Sequence, residues 1–212
     1  MDVELSLAGG TVRLPGNLER AERAEGLVIF VHGSGSSRLS PRNRMVAATL
    51  RGAGCATLLF DLLTGDEAQD RANVFDVPLL GSRVAGAIDW VRAQPAAGTL
   101  PIGLFGASTG TAAALVAAAE RPDVAAVVSR CGRPDLARDR LGEVRSPTLL
   151  IVGGADTEVL ALNRSAFAAL RCRKSLEIVP GATHLFEEPG TLDTVVRLAG
   201  GWFLDAFAAA EA

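Results

Sequence analysis

Short apolar runs alternate with longer amphipathic segments along most of the chain. Strands are predicted at residues 26–31, 55–60, 101–105, 124–128, 147–152 and 175–179, most of them as continuous apolar runs typical of strands buried on both faces of a sheet. Helices are predicted at residues 41–52, 77–93, 111–120, 158–170 and 191–209. This alternation predicts the α/β class, with a mainly parallel sheet covered by helices on both faces.

The N-terminal residues carry a different pattern, in which apolar and polar positions alternate. Residues 3–7 and 11–14 follow this pattern and are joined by Gly9-Gly10, which predicts an antiparallel hairpin. Residues 62–76 are rich in polar side chains and are predicted to form a loop. Gly200-Gly201 interrupts the last helical pattern and suggests a kink there.

Composition narrows the class of protein and its location. The chain has 212 residues, a net charge of −3 and no basic block, which argues against nucleic acid or a membrane surface as a partner. The three widely spaced cysteines, Cys55, Cys131 and Cys172, form neither a metal-ligand pattern nor a disulfide framework. Residues 1–5 lack the pattern of a signal peptide, and no apolar run is long enough to cross a membrane. We therefore expect a cytoplasmic protein.

The segment Gly106-Ala107-Ser108-Thr109-Gly110 is the strongest candidate for chemistry. It lies between the apolar run 101–105 and the alanine-rich helical segment 111–120. A sharp strand-to-helix turn tolerates only very small residues two positions before and after its apex, and it exposes the apical hydroxyl. The arrangement predicts a nucleophile elbow with Ser108 as the nucleophile.

A nucleophilic serine requires a base, and the chain has two histidines, His32 and His184. Both follow predicted strands, but His184 comes last, as the order serine, acid, histidine requires in this kind of fold. The acid should follow the strand at 147–152, where Asp156 lies in a glycine-rich turn and Glu158 is the competing candidate. Asp156 would orient the imidazole and stabilise its protonated form. His32 is predicted to be structural, bonding to the backbone.

The oxyanion formed by serine attack needs two backbone donors. The amide of Thr109, directly after the nucleophile, should be one of them. The glycine- and serine-rich segment that follows residue 31 should supply the other, and Ser34 is the predicted donor.

These segments, in this order, resemble the dienelactone hydrolase-like group of α/β-hydrolases without a cap domain. The resemblance is carried by residues 31–37, by the elbow at 106–110, by Val152-Gly153-Gly154-Ala155-Asp156 and by Gly181-Ala182-Thr183-His184. It implies hydrolysis of small carboxylic esters or lactones with no metal and no cofactor. Dienelactone hydrolases proper carry a cysteine nucleophile, whereas this elbow carries serine, so the departure favours a general ester hydrolase.

The size of the acyl group is predicted from the segments available to cover the site. Residues 129–146 are too few for a helical cap, so we expect a single domain over residues 1–212 with an open active-site face. Residues 62–76 offer Leu63 and Phe75 as apolar wall but also carry several charged side chains. We therefore expect short acyl chains to be preferred.

Other residues near the predicted site have more than one interpretation. Arg130 is a candidate to bind a substrate carboxylate, because arginine holds carboxylates bidentately, but both Arg130 and Arg133 could instead be solvated or pair with Asp135. Cys131 is predicted to be a small packing residue, and Arg42 receives no role from the sequence.

Two further functional hypotheses accompany the ester hydrolase. The same triad would serve a thioesterase, an amidase or an acyltransferase. A hydrolase-like module that binds a ligand without catalysis is the alternative from another class. The oligomeric state is not predicted by the sequence.

Overall fold

A single mixed sheet organises the protein in a computed structural model, which describes residues 1–21 and 23–210. Within these residues the sheet has eight strands, in the spatial order β1-β2-β4-β3-β5-β6-β7-β8. The strands are β1 (Asp2–Leu7), β2 (Val12–Glu19), β3 (Gly26–Val31), β4 (Cys55–Phe60), β5 (Ile102–Ala107), β6 (Val124–Arg130), β7 (Thr148–Gly153) and β8 (Lys174–Val179).

Pairing in the sheet is parallel except at its N-terminal edge. β1 and β2 form the predicted antiparallel hairpin, while the pairs from β4 through β8 are parallel. β2 is longer than the predicted segment 11–14, because residues 16–19 pair antiparallel with residues 57–60 of β4. Pro15 and Gly16 resemble turn residues locally, and only their pairing with β1, extended by the pairing of Gly16 with β4, makes them part of a strand.

Six helices of the described residues connect or cover these strands. They are α1 (Pro41–Gly52), α2 (Arg71–Val74), α3 (Val77–Arg92), α4 (Gly110–Glu120), α5 (Thr157–Ala169) and α6 (Thr191–Ala210). Ser40 caps α1 by accepting a hydrogen bond from the Asn43 amide, as its position before Pro41 predicts. α6 continues through Gly200-Gly201.

The segment predicted to be a polar loop is more ordered than the sequence suggested. It contains a 3-10 turn at Glu67–Gln69 and the short helix α2. A second 3-10 segment, Pro134–Glu143, follows β6 where the sequence predicted no cap domain. None of these helical pieces exceeds ten residues.

The core consists of two apolar layers, one on each face of the sheet. Helices α3 and α4 pack on one face, and α1 and α6 pack on the other. Close packing is visible at Gly103 of β5, where a Cβ atom would lie 2.5 Å from the ring of Phe203 in α6. Such burial of strands on both faces accounts for their continuous apolar sequences.

The parallel strands bring their carboxyl ends to one edge of the sheet. The loops after β3, β4, β5, β6, β7 and β8 all start there, and this is where open α/β sheets bind ligands. In the part of the chain that the structure describes, none of the helices is both long and apolar enough to span a bilayer.

Candidate active site

Ser108 stands at the apex of a tight turn between β5 and α4. Its backbone has φ of +50°, a left-handed conformation that is strained for a residue with a side chain. A Cβ atom at Gly106 would lie 2.6 Å from Thr111 Cα, and one at Gly110 would lie 2.3 Å from two backbone oxygens, those of Val31 and His32. The two glycines are therefore required by contact across the turn, which is the geometry that the sequence pattern predicted.

Three side chains from three different loops form a hydrogen-bonded chain at the sheet edge. His184 Nε2 lies 3.3 Å from Ser108 Oγ, and His184 Nδ1 lies 2.7 Å from Asp156 Oδ2. Since the Asp156 carboxylate accepts, the imidazole donates from Nδ1, which leaves Nε2 free to accept the serine proton. The site residues named from the sequence thus meet in space.

The structure distinguishes the two candidates for the acid. Asp156 immediately precedes α5, and its Oδ1 accepts a hydrogen bond of 3.4 Å from the Val159 amide while Oδ2 faces His184. This capping contact fixes the orientation of the carboxylate. Glu158 lies in the first turn of α5 with its side chain exposed, and it is Asp156 that bonds the imidazole.

The two amides named as oxyanion donors lie close together but are differently engaged. Within residues 1–21 and 23–210, the Thr109 N–H has no hydrogen-bond acceptor. The Ser34 N–H donates to Thr109 Oγ1 over 2.8 Å. A Cβ atom at Gly33 would lie 2.9 Å from Ser108 Cβ, so the loop after β3 rests directly against the nucleophile.

This loop is held in place by two contacts with the segment after β4. The His32 Nε2 atom accepts a hydrogen bond of 3.2 Å from the Leu62 amide, and Nδ1 lies 2.9 Å from the Gly33 carbonyl. Burial lowers the pKa of His32, against the opposing effects of Gly33 and of the Asp61 charge. Arg38 donates from its amide and from Nη1 to the Asp61 carboxylate, over 2.7 and 2.6 Å. His32 thus has the structural role that the sequence predicted.

A cavity of about 600 Å³, here called the serine cavity, opens above the nucleophile. Ser108 and His184 line it, together with Arg42, Arg130 and the exposed side chains Leu39 and Leu185. Residues 33–37 form part of its wall.

Arg130 is the most unusual group of the serine cavity. It is only 8% exposed, and among the described residues its Nε and Nη1 atoms have no hydrogen-bond partner. Its Nη2 makes one long contact, 3.4 Å to Asn43 Oδ1. Burial, and secondarily the charge of Arg42, lowers the pKa of the Arg130 guanidinium to about 10. A buried cation without a carboxylate is costly, so an anionic partner from outside the chain would stabilise it.

The neighbouring arginines differ from Arg130. Arg133 forms a bidentate ion pair with Asp135, with distances of 2.9 and 2.8 Å. Arg42 pairs with Glu187 over 3.2 Å at the rim. The sequence could not distinguish these three side chains, because the distinction depends on which carboxylates reach them in space.

A second cavity, of about 420 Å³, was not anticipated from the sequence and is here called the apolar cavity. Its apolar lining consists of Pro15, Leu62, Leu63, Ala68, Val74 and Leu80. Residues 33–37 line it as they line the serine cavity, and Thr109 borders it. Of the two side chains that the sequence offered as apolar wall in residues 62–76, Leu63 lines this cavity and Phe75 does not.

Cys131 lies beside the triad. Its thiol is buried, accepts a hydrogen bond from the Gly153 amide over 3.3 Å, and has a pKa that burial raises to about 11. Cys131, Asp156 and His184 are the one group of the described residues with metal-ligating atoms this close, all within 4.8 Å of one another. Metal binding requires a thiolate, which this burial disfavours, and it would break the contact between Asp156 and His184. The group therefore fits packing and hydrogen bonding better than a metal.

The sheet order, the elbow and the hydrogen-bonded chain of Asp156, His184 and Ser108 define an α/β-hydrolase fold. The sequence profile of the dienelactone hydrolase family matches residues 18–199, and the chain belongs to that family. A crystal structure of a dienelactone hydrolase from Anabaena variabilis is 54% identical and covers 97% of each chain with a TM-score of 0.91. Est1E from Butyrivibrio proteoclasticus shares the fold, with a TM-score of 0.81 at 18% identity over 98% of this chain and 99% of that one.

The curated relatives are longer than this chain. A Mycobacterium tuberculosis protein named "Putative phosphoribosyl transferase" is 58% identical to this chain over 205 residues. The matched region is 96% of this chain and 46% of that protein. The chain thus spans about half the length of the curated relatives of this kind.

Proposed function

We propose that the protein is a serine hydrolase that cleaves carboxylic esters or lactones through an acyl-enzyme. The observation that carries the proposal is the hydrogen-bonded chain from Asp156 through His184 to Ser108, at the apex of a strained elbow. Membership of the dienelactone hydrolase family supports a hydrolase independently of this geometry. Three unpaired cysteines among the described residues favour a reducing compartment, and we extend the proposal to a cytoplasmic location.

In the acylation step, Ser108 Oγ attacks the carbonyl carbon while His184 Nε2 takes the hydroxyl proton. Asp156 holds the Nδ1–H tautomer and stabilises the imidazolium that forms. Negative charge then develops on the carbonyl oxygen. The N–H of Thr109 is one proposed donor to this oxygen, and the N–H of Ser34 is the other. The Ser34 N–H now donates to Thr109 Oγ1, so it would either donate to both oxygens or turn from Thr109 Oγ1 to the substrate oxygen.

In the steps that follow, the imidazolium returns its proton to the leaving alkoxide, and the alcohol departs from the serine cavity. Water enters beside His184, loses a proton to Nε2 and attacks the acyl carbon. Collapse of the second tetrahedral intermediate releases the acid and restores the Ser108 hydroxyl. No metal or organic cofactor is needed for these steps.

Arg130 is proposed to bind an anionic group of the substrate. The Arg130 side chain lines the cavity that contains Ser108 and His184, and its Nε and Nη1 atoms are buried with no hydrogen-bond partner among the described residues. A carboxylate would receive charge-assisted hydrogen bonds there, in a site from which water is largely removed. Because the leaving alcohol must contact His184, this carboxylate would belong to the alcohol part of the ester. Acetylated 4-hydroxybenzoate is a simple compound of that kind.

The decisive experiment compares Ser108→Ala with Ser82→Ala, an exposed serine of α3. Wild-type protein and Ser82→Ala should react with a fluorophosphonate probe and hydrolyse p-nitrophenyl acetate. Ser108→Ala should lose the label and on the order of 10⁶ in kcat. Equal labelling of both variants would remove Ser108 from the mechanism.

The alternatives predict different results in the same assays. A non-catalytic binding module would leave the wild-type protein unlabelled. A thioesterase, amidase or acyltransferase would be labelled at Ser108 but would prefer a thioester, an amide or an added acceptor alcohol over hydrolysis of an oxygen ester.

A further inference from the structure

We infer that the apolar cavity binds the acyl group of the substrate, and that the enzyme therefore prefers esters of medium-length, uncharged acids. This inference rests on the proposed ester hydrolysis at Ser108. It assigns a ligand to a cavity that the triad does not use, and it replaces the expectation of short acyl chains.

The position of the cavity ties it to the reacting carbonyl. Thr109, whose free amide follows the nucleophile, borders the apolar cavity, and so does Ser34. An acyl carbonyl whose oxygen lies between these two amides has its substituent next to the cavity mouth. Residues 33–37 form the wall that the apolar cavity shares with the serine cavity.

The location of His184 decides which half of an ester enters which cavity. His184 lines the serine cavity and is absent from the lining of the apolar cavity. The leaving oxygen must be within hydrogen-bond reach of His184 Nε2 to receive its proton. The alcohol part of the ester is thereby directed to the serine cavity, which Arg130 also lines. The acyl part is directed to the apolar cavity.

Glu67 and Asp70 of the segment after β4 support the cavity wall without lining it, whereas Asp61 and Thr64 are part of the lining. The Glu67 carboxylate accepts from the Thr64 amide over 2.9 Å and from Arg83 Nη2 over 2.6 Å. Asp70 caps α2 by accepting from the Ala72 amide over 2.8 Å. These contacts fix the segment, while Leu62, Leu63 and Val74 face the cavity. The segment thus provides the wall that a cap domain supplies elsewhere.

The size of the cavity indicates the size of the acyl group. About 420 Å³ lies near the lower end of the range for small-molecule sites. Burial of a methylene group should raise kcat/KM about fourfold. Octanoate has six more methylene groups than acetate, and burial of about half of them should bring the ratio of kcat/KM for the octanoate ester to that for the acetate ester to about 60.

The test uses p-nitrophenyl esters from acetate to decanoate, so that the alcohol stays constant. Ala68→Phe places a large ring in the cavity lining, and Ala72→Phe makes the same change at an exposed position of α2 that does not line the cavity. Leu63→Asn, a near-isosteric change, makes the lining polar. The readout is the octanoate-to-acetate ratio, in which losses common to both substrates cancel.

We expect this ratio to be about 60 in the wild-type protein and in Ala72→Phe, and to fall at least tenfold in Ala68→Phe and Leu63→Asn. The ratio of octyl acetate to butyl acetate should be the same in all four proteins, because the alcohol lies elsewhere. A flat acyl series in an active wild-type enzyme would overturn the inference while leaving ester hydrolysis intact. So would an equal effect of Ala68→Phe and Ala72→Phe, or an effect confined to the alcohol series. Absence of hydrolysis of every ester, including acetate, would instead overturn the proposed function.

Discussion

Replacement of Arg130 by methionine should make the protein more stable and less able to use anionic substrates. Arg130 is 8% exposed, and among the residues that the structure describes its guanidinium pairs with no carboxylate and makes one hydrogen bond, of 3.4 Å, with Asn43. Methionine has a similar length and needs no polar partner. A buried charge that destabilises the fold is expected where the group serves binding.

The magnitude follows from the pKa of Arg130. Burial lowers this pKa to about 10, well below the ordinary value of a guanidinium, which corresponds to a cost on the order of 3 kcal/mol for holding the charged form in the folded state at neutral pH. Loss of the contact with Asn43 and of some packing would offset roughly 1 kcal/mol. We therefore expect Arg130→Met to raise the free energy of unfolding by about 2 kcal/mol, or Tm by roughly 4–8 °C.

The assay combines urea unfolding with kinetics on acetylated 4-hydroxybenzoate and phenyl acetate, which share the acyl group. Arg133→Met is the matched control, because Arg133 forms a bidentate pair with Asp135 and its replacement should destabilise by about 0.5 kcal/mol. In Arg130→Met the preference for the anionic ester should fall about 10–100-fold. Above pH of about 10 the wild-type enzyme should lose this preference as well, since the guanidinium loses its proton. A clear loss of stability in Arg130→Met, with the preference unchanged, would refute the assigned role.

Three further predictions concern the triad and its surroundings. Asp156→Asn should lower kcat by about 10⁴ through the wrong imidazole tautomer, whereas Glu158→Gln should stay near wild type, and the reverse order in steady-state assays would reassign the acid. Burial lowers the pKa of His32 in the folded protein. As pH falls below about 6.5, the imidazole of His32 is therefore protonated in the unfolded chain before it is protonated in the folded one, so the free energy of unfolding should decline. Urea unfolding at pH 7.5 and 5.5 should show a smaller decline in His32→Asn, and an equal decline would remove His32 as a cause. Burial also raises the pKa of Cys131 to about 11, so mass spectrometry should find it unmodified by iodoacetamide at pH 8 while the partly exposed Cys172 reacts. Modification of Cys131 first would contradict this environment.

Elements whose signals are local were predicted close to their observed bounds. β3 and β4 agree with the apolar runs at 26–31 and 55–60, and α1 begins at Pro41 after the Ser40 cap. The end of β2 was not predicted, because Pro15 and Gly16 become strand residues only through their contact with β1 and β4. Residues 62–76 were interpreted as a loop because they are rich in polar side chains. In the structure these side chains form caps and ion pairs that order the segment, and sequence periodicity does not reveal such contacts.

The strand-to-helix turn around Ser108 and the chain order of serine, acid and histidine could be predicted from the amino-acid sequence. These features depend on backbone sterics within a few residues and on strand order, both of which leave local signals. Contacts between distant parts of the chain were needed to show that Asp156 rather than Glu158 meets His184, that no carboxylate of the described residues reaches Arg130 as Asp135 reaches Arg133, and that an apolar cavity adjoins Thr109. Each of these outcomes depends on distances between side chains from separate loops. Pairing and burial at that range are set by the packing of the whole sheet edge, so they have no signature in local sequence.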